Sequence, residues 1–220
     1  MAPSADEVRR GAAVYSRALL TWYDLFVLGL ACRFVWRAPR PLTQAVYDRH
    51  VSANHVELGP GTGYFLRRSS RADNLNRLAL VDLNDQVLTY ASRRLAAFRP
   101  ETYQRDVLRP LDLDGAQFGS AGLNFLLHCI PGTIAEKAVV FDQLADVVEP
   151  GGRIFGSTVL GPTARHSFAA RRLLTRLNKA GVMHNRNDTL DDLTDALAAR
   201  FTNYRVTLHG SVAYFEATRP

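Results

Sequence analysis

Apolar residues in the first fifty positions recur at helical spacing. Tyr15, Leu19, Trp22, Phe26, Leu30 and Phe34 follow one another every three or four residues, which places them on a single stripe of a helix. Asp24 and Arg33 interrupt the apolar run between Ala18 and Trp36, and its uncharged part falls short of the roughly 20 residues a bilayer requires. The stripe therefore predicts a helix that packs on a domain or lies on a membrane surface. Ala38-Pro39-Arg40-Pro41 ends it, because proline cannot continue the hydrogen-bond ladder.

From about residue 53 the pattern becomes short apolar runs alternating with amphipathic stretches. Strands are expected at 55–58, 78–81, 102–105, 121–125 and 153–158, with helices at 84–98, 135–148, 164–180 and 190–200. Asn84 is a natural helix cap, and Glu149-Pro150-Gly151-Gly152 stops the helix before the fifth strand. Residues 204–208 and 212–217, parted by Gly210-Ser211, read as a hairpin. Strand–helix alternation predicts an α/β fold, a doubly wound and mostly parallel sheet covered by helices on both faces and closed by an antiparallel pair at one edge. No repeat or linker divides the chain, so residues 1–220 are expected to form one domain: a helical N-terminal lid at 1–50, a core at 53–160, and further helices with the hairpin at 161–220.

Composition narrows the class. With 47% hydrophobic residues spread along the 220, disordered and collagen-like readings are excluded. Two cysteines, Cys32 and Cys129, make no disulfide framework and stand in no metal-ligand spacing, and no His/Asp/Glu set shows the spacing of a magnesium-type site, so no metal is expected. The charged N-terminus lacks the features of a secretory signal, and a cytoplasmic location is expected. The net charge of +6 comes almost wholly from Arg, dispersed in pairs rather than runs, which reads first as a solvated basic surface.

The most informative stretch is His55-Val56-Glu57-Leu58-Gly59-Pro60-Gly61-Thr62-Gly63-Tyr64-Phe65-Leu66. A strand carrying an acid turns through three alternating glycines into a helix, and glycines there let the backbone bend sharply and approach a ligand. Asp82 ends the second strand, where a carboxylate accepts hydrogen bonds from ribose hydroxyls, and Asp106 follows the third. Three acids on successive strand ends would repel a pyrophosphate and suit a nucleoside that carries positive charge. There is no Gly-Lys-Ser/Thr phosphate loop, and the spacing is G-x-G-x-G rather than the dinucleotide G-x-G-x-x-G.

With this loop, the segment from Phe118 to Cys129 (FGSAGLNFLLHC) and the segment from Leu144 to Phe155 (LADVVEPGGRIF), the chain resembles the class I S-adenosylmethionine-dependent methyltransferases of small molecules. The resemblance implies a Rossmann-like sheet of seven strands and S-adenosylmethionine as cofactor. It implies that Glu57 and the amides around Gly59, Gly61 and Gly63 hold the methionine end, and that Asp82 takes the ribose hydroxyls with Leu83 beside the adenine. Asp106 and Val107 would face that ring, and Asn124 would line the methyl-donor side. Gly119 departs from the family, which often has Asp there.

Methyl transfer from a sulfonium needs alignment and water exclusion, and a base only when the acceptor is protonated. His128, just past the fourth strand, is the candidate base, against the alternative of a histidine that holds a loop. His166 and His184 read as surface residues. Tyr15, Tyr23 and Trp36 are candidates for an aromatic acceptor pocket, against plain packing. The expected activity is O-, N- or C-methylation of a small apolar or aromatic metabolite in specialised metabolism, with no nucleic-acid partner, by a monomer or homodimer. The alternatives are a lipid or quinone methyltransferase touching membranes peripherally, an RNA or protein methyltransferase, and a fold that binds the cofactor without transferring methyl.

Overall fold

The computed structural model describes residues 24–115, 117–161, 164 and 166–220, with backbone alone for 24–28. Tyr15 and Tyr23, expected at the acceptor pocket, lie outside the described residues, as do Leu19 and Trp22 of the apolar stripe.

Helix α1 (Asp24–Val35) is wound in the wide π manner, and Ala38 N–H reaches back six residues to the Cys32 carbonyl at 2.8 Å as it ends. After Pro39 the chain re-enters a helix, α2 (Arg40–His50), because proline is tolerated in a first turn, where the amide hydrogen has no helical partner anyway. Then come β1 (Asn54–Leu58), α3 (Tyr64–Arg68), β2 (Arg77–Asp82), α4 (Asp85–Arg94), β3 (Glu101–Gln104) and β4 (Phe118–Asn124). The remainder is α5 (Ile134–Lys137), α6 (Val139–Val147), β5 (Val148–Val159), α7 (Phe168–Lys179), α8 (Leu190–Ala198), β6 (Thr202–His209) and β7 (Val212–Thr218).

The sheet has seven strands in the order β3-β2-β1-β4-β5-β7-β6. Strands β1 to β5 run parallel, while β7 pairs antiparallel with both β5 and β6. The hairpin thus inserts its second strand beside β5 and leaves β6 at the edge. Chain order reverses between β1 and β4, which opens a crevice at their carboxyl ends.

Local chemistry sets the helix ends. Asn84 caps α4 by accepting from Gln86 N–H at 2.9 Å. Thr133 and Glu136 form a reciprocal capping box on α5. The predicted helix over 84–98 stops at Arg94 and ends in a single 3₁₀ turn, Ala96–Phe98. Strand β5 begins before the Pro-Gly-Gly turn: Phe118 pairs with Val148 and Ser120 with Arg153, so Glu149–Gly152 bulges from the ladder. Gly119 faces this bulge, where a Cβ would lie 2.8 Å from Ser52 Oγ and 3.0 Å from Glu149 Oε1.

Strand alternation divides the sheet's faces. Val56, Leu58, Ala79 and Val81 pack with Phe118, Phe141 and Leu144 on one side; Leu78 and Leu80 meet Tyr47, Leu88, Leu95 and Phe155 on the other. Trp36, 3% exposed, belongs to this second core, and its carbonyl accepts from Ser211 N–H at 2.8 Å beside the β6–β7 turn. Its ring is packing, and Trp36 does not border the main cavity. His166 is buried rather than at the surface, bonded to Ser211 Oγ (2.8 Å) and the Gly161 carbonyl (2.6 Å). No helix among the described residues is long and apolar enough to cross a membrane.

Candidate active site

The main cavity lies at the carboxyl ends of β1, β2 and β4. It is bordered by the loop Gly59–Gly63, by Asp82 and Leu83, by the stretch Arg105–Leu108, and by Asn124, Phe125 and Leu126, with Tyr47, Tyr64 and Phe65 closing one end. The three loop glycines share a left-handed backbone, with φ of +66° at Gly59, +54° at Gly61 and +68° at Gly63. Their surroundings differ. A Cβ on Gly59 would come within 2.9 Å of Leu126, and one on Gly63 within 2.9 Å of Leu95, whereas one on Gly61 would meet no protein atom within 4 Å. Gly59 and Gly63 are glycines for packing as well as conformation, and Gly61 leaves open space at the cavity wall.

Asp82 sits where β2 ends, with Oδ1 accepting from Asn84 N–H at 2.8 Å. Burial pushes its carboxyl up to about 6, against the pull of the backbone amides of Asn84 and Leu83. A ligand hydroxyl donating to this carboxylate would replace the water it has lost. Leu83, Asp106 and Val107 border the same end of the cavity, and Asp106 Oδ1 accepts from Leu108 N–H at 3.0 Å, fixing the turn after β3.

Glu57 is placed differently from the expectation. Strand alternation points it to the face covered by α2, where it is 1% exposed and does not border the cavity. Its Oε1 accepts from the Tyr47 hydroxyl at 2.7 Å, and its Oε2 lies 3.0 Å from His55 Nε2. His55 Nδ1 is in turn 2.8 Å from Ser120 Oγ. Phe155 stacks on His55 and meets Tyr47 edge-on, and Phe65 stacks on Tyr47 at 5.4 Å. Gly122 makes room for the pair: a Cβ there would stand 2.4 Å from Glu57 Oε2. Of the three acids read from the strand ends, only Asp82 and Asp106 reach the cavity.

His128 is also displaced from its expected role. It is 4% exposed and absent from the cavity wall, with Nδ1 accepting from Val159 N–H at 3.2 Å. That bond leaves the ring proton on Nε2, and burial together with the nearby Lys137 ammonium lowers the imidazole to about 3. Such a ring stays neutral and is a poor base; it ties the 3₁₀ turn Leu127–Cys129 to the end of β5. The His128 carbonyl accepts from His184 N–H at 2.7 Å, which places His184 against the same turn.

Residues that sequence reasoning missed include Tyr47, Tyr64 and Phe125. Phe125 holds φ +57°, rare for a bulky side chain, with its amide bonded to the Ser157 carbonyl at 2.7 Å. Tyr64 opens α3 at the end of the glycine loop, with the guanidiniums of Arg40 and Arg68 at 4.9 and 4.2 Å from its ring centre. Asn124 does border the cavity. Its Oδ1 accepts from Ser157 Oγ at 2.9 Å, and its buried Nδ2 has no hydrogen-bond partner. A buried donor left unpaired costs free energy, so this amide marks a place where a ligand acceptor belongs. Open space at Gly61, a desolvated carboxylate at the β2 end and the orphan amide at the β4 end together fit an adenosyl group with a polar tail. Among the described residues no three His, Cys, Asp or Glu side chains come together as metal ligands would.

Comparison with known proteins agrees with this geometry. The family model described as a methyltransferase domain matches residues 56–156. The demethylluteothin O-methyltransferase of Streptomyces thioluteus is 37% identical over 212 residues, covering 96% of this chain and 92% of that one. The physcion biosynthesis cluster O-methyltransferase of Aspergillus chevalieri is 31% identical over 220 residues, covering 99% of each. Among solved structures, the DhpI–SAH complex superposes with a TM-score of 0.70 at 18% identity, covering 99% of this chain and 98% of that one, a likeness of fold. A crevice at the sheet's switch point, a carboxylate at the β2 end and relatives aligned over nearly the whole length converge: the chain belongs to the methyltransferase-domain family, as a class I S-adenosylmethionine-dependent methyltransferase.

Proposed function

We propose that this enzyme methylates an oxygen of a small, largely apolar metabolite, an aromatic or polyketide-like hydroxyl compound. Two relatives of similar length are O-methyltransferases by name, one of demethylluteothin and one of a physcion biosynthesis cluster, and the wall of the cavity near β4 is apolar, with Phe125, Leu126, Ile130 and Pro131. The sulfonium of the bound cofactor supplies an activated methyl group with its leaving group attached. In this reading Asp82 receives the ribose hydroxyls, and Leu83, Asp106 and Val107 line the adenine. The loop at Gly59, Gly61 and Gly63 borders the methionine end, and Asn124 supplies a donor between the two ligands.

Proton removal sets a limit on the acceptor. His128 is neutral and outside the cavity, and the wall's carboxylates, Asp82 and Asp106, belong to the adenosine end. Among the described residues the carboxylate nearest Asn124 is that of Glu57, held behind the Tyr47 hydroxyl and outside the cavity wall. The acceptor hydroxyl is then one that ionises readily without help, such as an enol or phenol conjugated to a carbonyl. The observation that carries the reading is the apolar wall beside Asn124, formed by Phe125, Leu126, Ile130 and Pro131.

The test is incubation with S-adenosylmethionine labelled in the methyl group and a panel of acidic phenols and hydroxypyrones, followed by mass spectrometry. Label on an acceptor oxygen is the expected result. Label only on nitrogen or carbon would overturn the choice of oxygen. No labelled product, with NADH rather than S-adenosylhomocysteine saturating the cavity, would overturn the whole reading.

A further inference from the structure

Lys137 and Asp188 form a buried ion pair that does not border the cavity. Lys137 Nζ donates to Asp188 Oδ1 at 2.9 Å, to Asp188 Oδ2 at 2.7 Å and to the His184 carbonyl at 2.9 Å. All three ammonium hydrogens are thereby engaged, each in a fixed direction. A buried pair gains little stability by itself, because desolvation offsets the attraction and apolar residues of similar volume commonly serve as well. What directed charges add is a defined placement of the segments that carry them. The segments joined here flank the apolar wall. Lys137 ends α5, which begins three residues after the wall residues Leu126, Cys129, Ile130 and Pro131. From the other side His184 N–H donates to the His128 carbonyl at 2.7 Å, in the middle of the 3₁₀ turn Leu127–Cys129. The loop 184–188 is itself anchored near the end of β5: Asn185 Nδ2 donates to the Val159 carbonyl at 2.8 Å, and the Asp188 carbonyl accepts from Gly161 N–H at 2.8 Å. Within the turn, Cys129 N–H bonds to the Leu126 carbonyl and Ile130 N–H to the Leu127 carbonyl, local bonds that shape the turn without placing it against the sheet. Placement comes from the His128 ring on Val159 N–H and from the tie through His184 to the ion pair.

We propose that the Lys137–Asp188 pair positions the acceptor wall: it sets where residues 126–131 stand beside the methyl donor, and so which acceptors fit. This rests on the reading of that apolar wall as the acceptor side of the cavity. Neither side chain touches the acceptor. Both are positioning residues that act through His184 and the 3₁₀ turn, gripping the wall segment from its two ends.

The test is the double variant Lys137→Met/Asp188→Leu of the full chain, which removes both charges and fills their place with apolar atoms. It should melt cooperatively and bind S-adenosylhomocysteine within about twofold of the unaltered protein, while KM for the best acceptor of the phenol and hydroxypyrone panel rises about fivefold or more. Amide hydrogen exchange over residues 126–131 should quicken about tenfold or more, with β1 and β2 unchanged. Asp188→Asn, which keeps the shape and removes one charge, should move KM and exchange in the same direction, and it carries the comparison should the double variant fail to fold. Unchanged KM in a folded variant would overturn the proposal. So would a rise in KM matched by an equal loss of affinity for S-adenosylhomocysteine. Should the unaltered protein methylate nothing on the panel, the acceptor reading falls, and exchange then decides the placement of the wall: an unchanged rate over 126–131 overturns the role of the pair.

Discussion

Asp82 couples the site to pH. Its carboxyl stands at about 6 against an ordinary 3.8, so between those values the folded protein holds a proton that the unfolded chain releases. The stability this contributes is present below the ordinary value and is lost as pH rises through about 6. A ligand whose hydroxyls donate to the charged form reverses that loss. The melting-temperature gain from S-adenosylhomocysteine should therefore grow as pH rises from 5 to about 7, and Asp82→Asn should flatten the profile and reduce the gain. At Gly61 the argument is conformational and spatial at once. Valine there must adopt φ near +54° and would project into the cavity, so Gly61→Val should lower affinity for S-adenosylhomocysteine by about tenfold or more in calorimetry. Asp82, Asp106 and the glycines were legible in the sequence because each is tied to a strand end. Tyr47 was not, since a tyrosine on a helical stripe looks the same whether its hydroxyl meets solvent or a buried carboxylate.

Elements were easier to read than their junctions. The five parallel strands and the hairpin fall where alternation and turn residues put them, and Asn84 caps α4 as its type suggests. The bulge at Glu149–Gly152 was hidden because a Pro-Gly-Gly segment reads as a turn, and only pairing with Phe118 draws Val148 into the strand. His128 and His166 look like site or surface residues in sequence, yet both tie the ends of β5 and its following loop to other elements. The strongest such tie joins α5 to the loop before α8. Lys137 Nζ donates to both oxygens of Asp188, at 2.9 and 2.7 Å, and to the His184 carbonyl at 2.9 Å, with both side chains almost wholly buried. Desolvation lowers the ammonium and raises the carboxyl to about 6, so each charge depends on the other. Lys137→Met should cost about 3–5 kcal/mol in urea unfolding by stranding Asp188, and adding Asp188→Leu should recover much of the loss.

At the scale of the molecule, the sheet's order explains why the site is where it is. Chain reversal between β1 and β4 leaves their carboxyl ends without a crossing helix, and the glycine loop and Asn124 are the residues at those two ends. The fold class was therefore readable from alternation alone, while the contents of the cavity required knowing that α2 folds back over β1. The net charge of +6 says nothing about the cavity, whose wall carries Asp82 and Asp106 against Arg105.

The position of β7 has a further consequence. A ribosome delivers β6 before β7, yet among the described residues β6 joins the sheet only through β7. Until residues 212–218 emerge, β5 presents a bare flank of unpaired amides and carbonyls while β6 waits unattached. During synthesis this nascent chain is open to capture by other strands, and the interval closes only when β7 slots between the two.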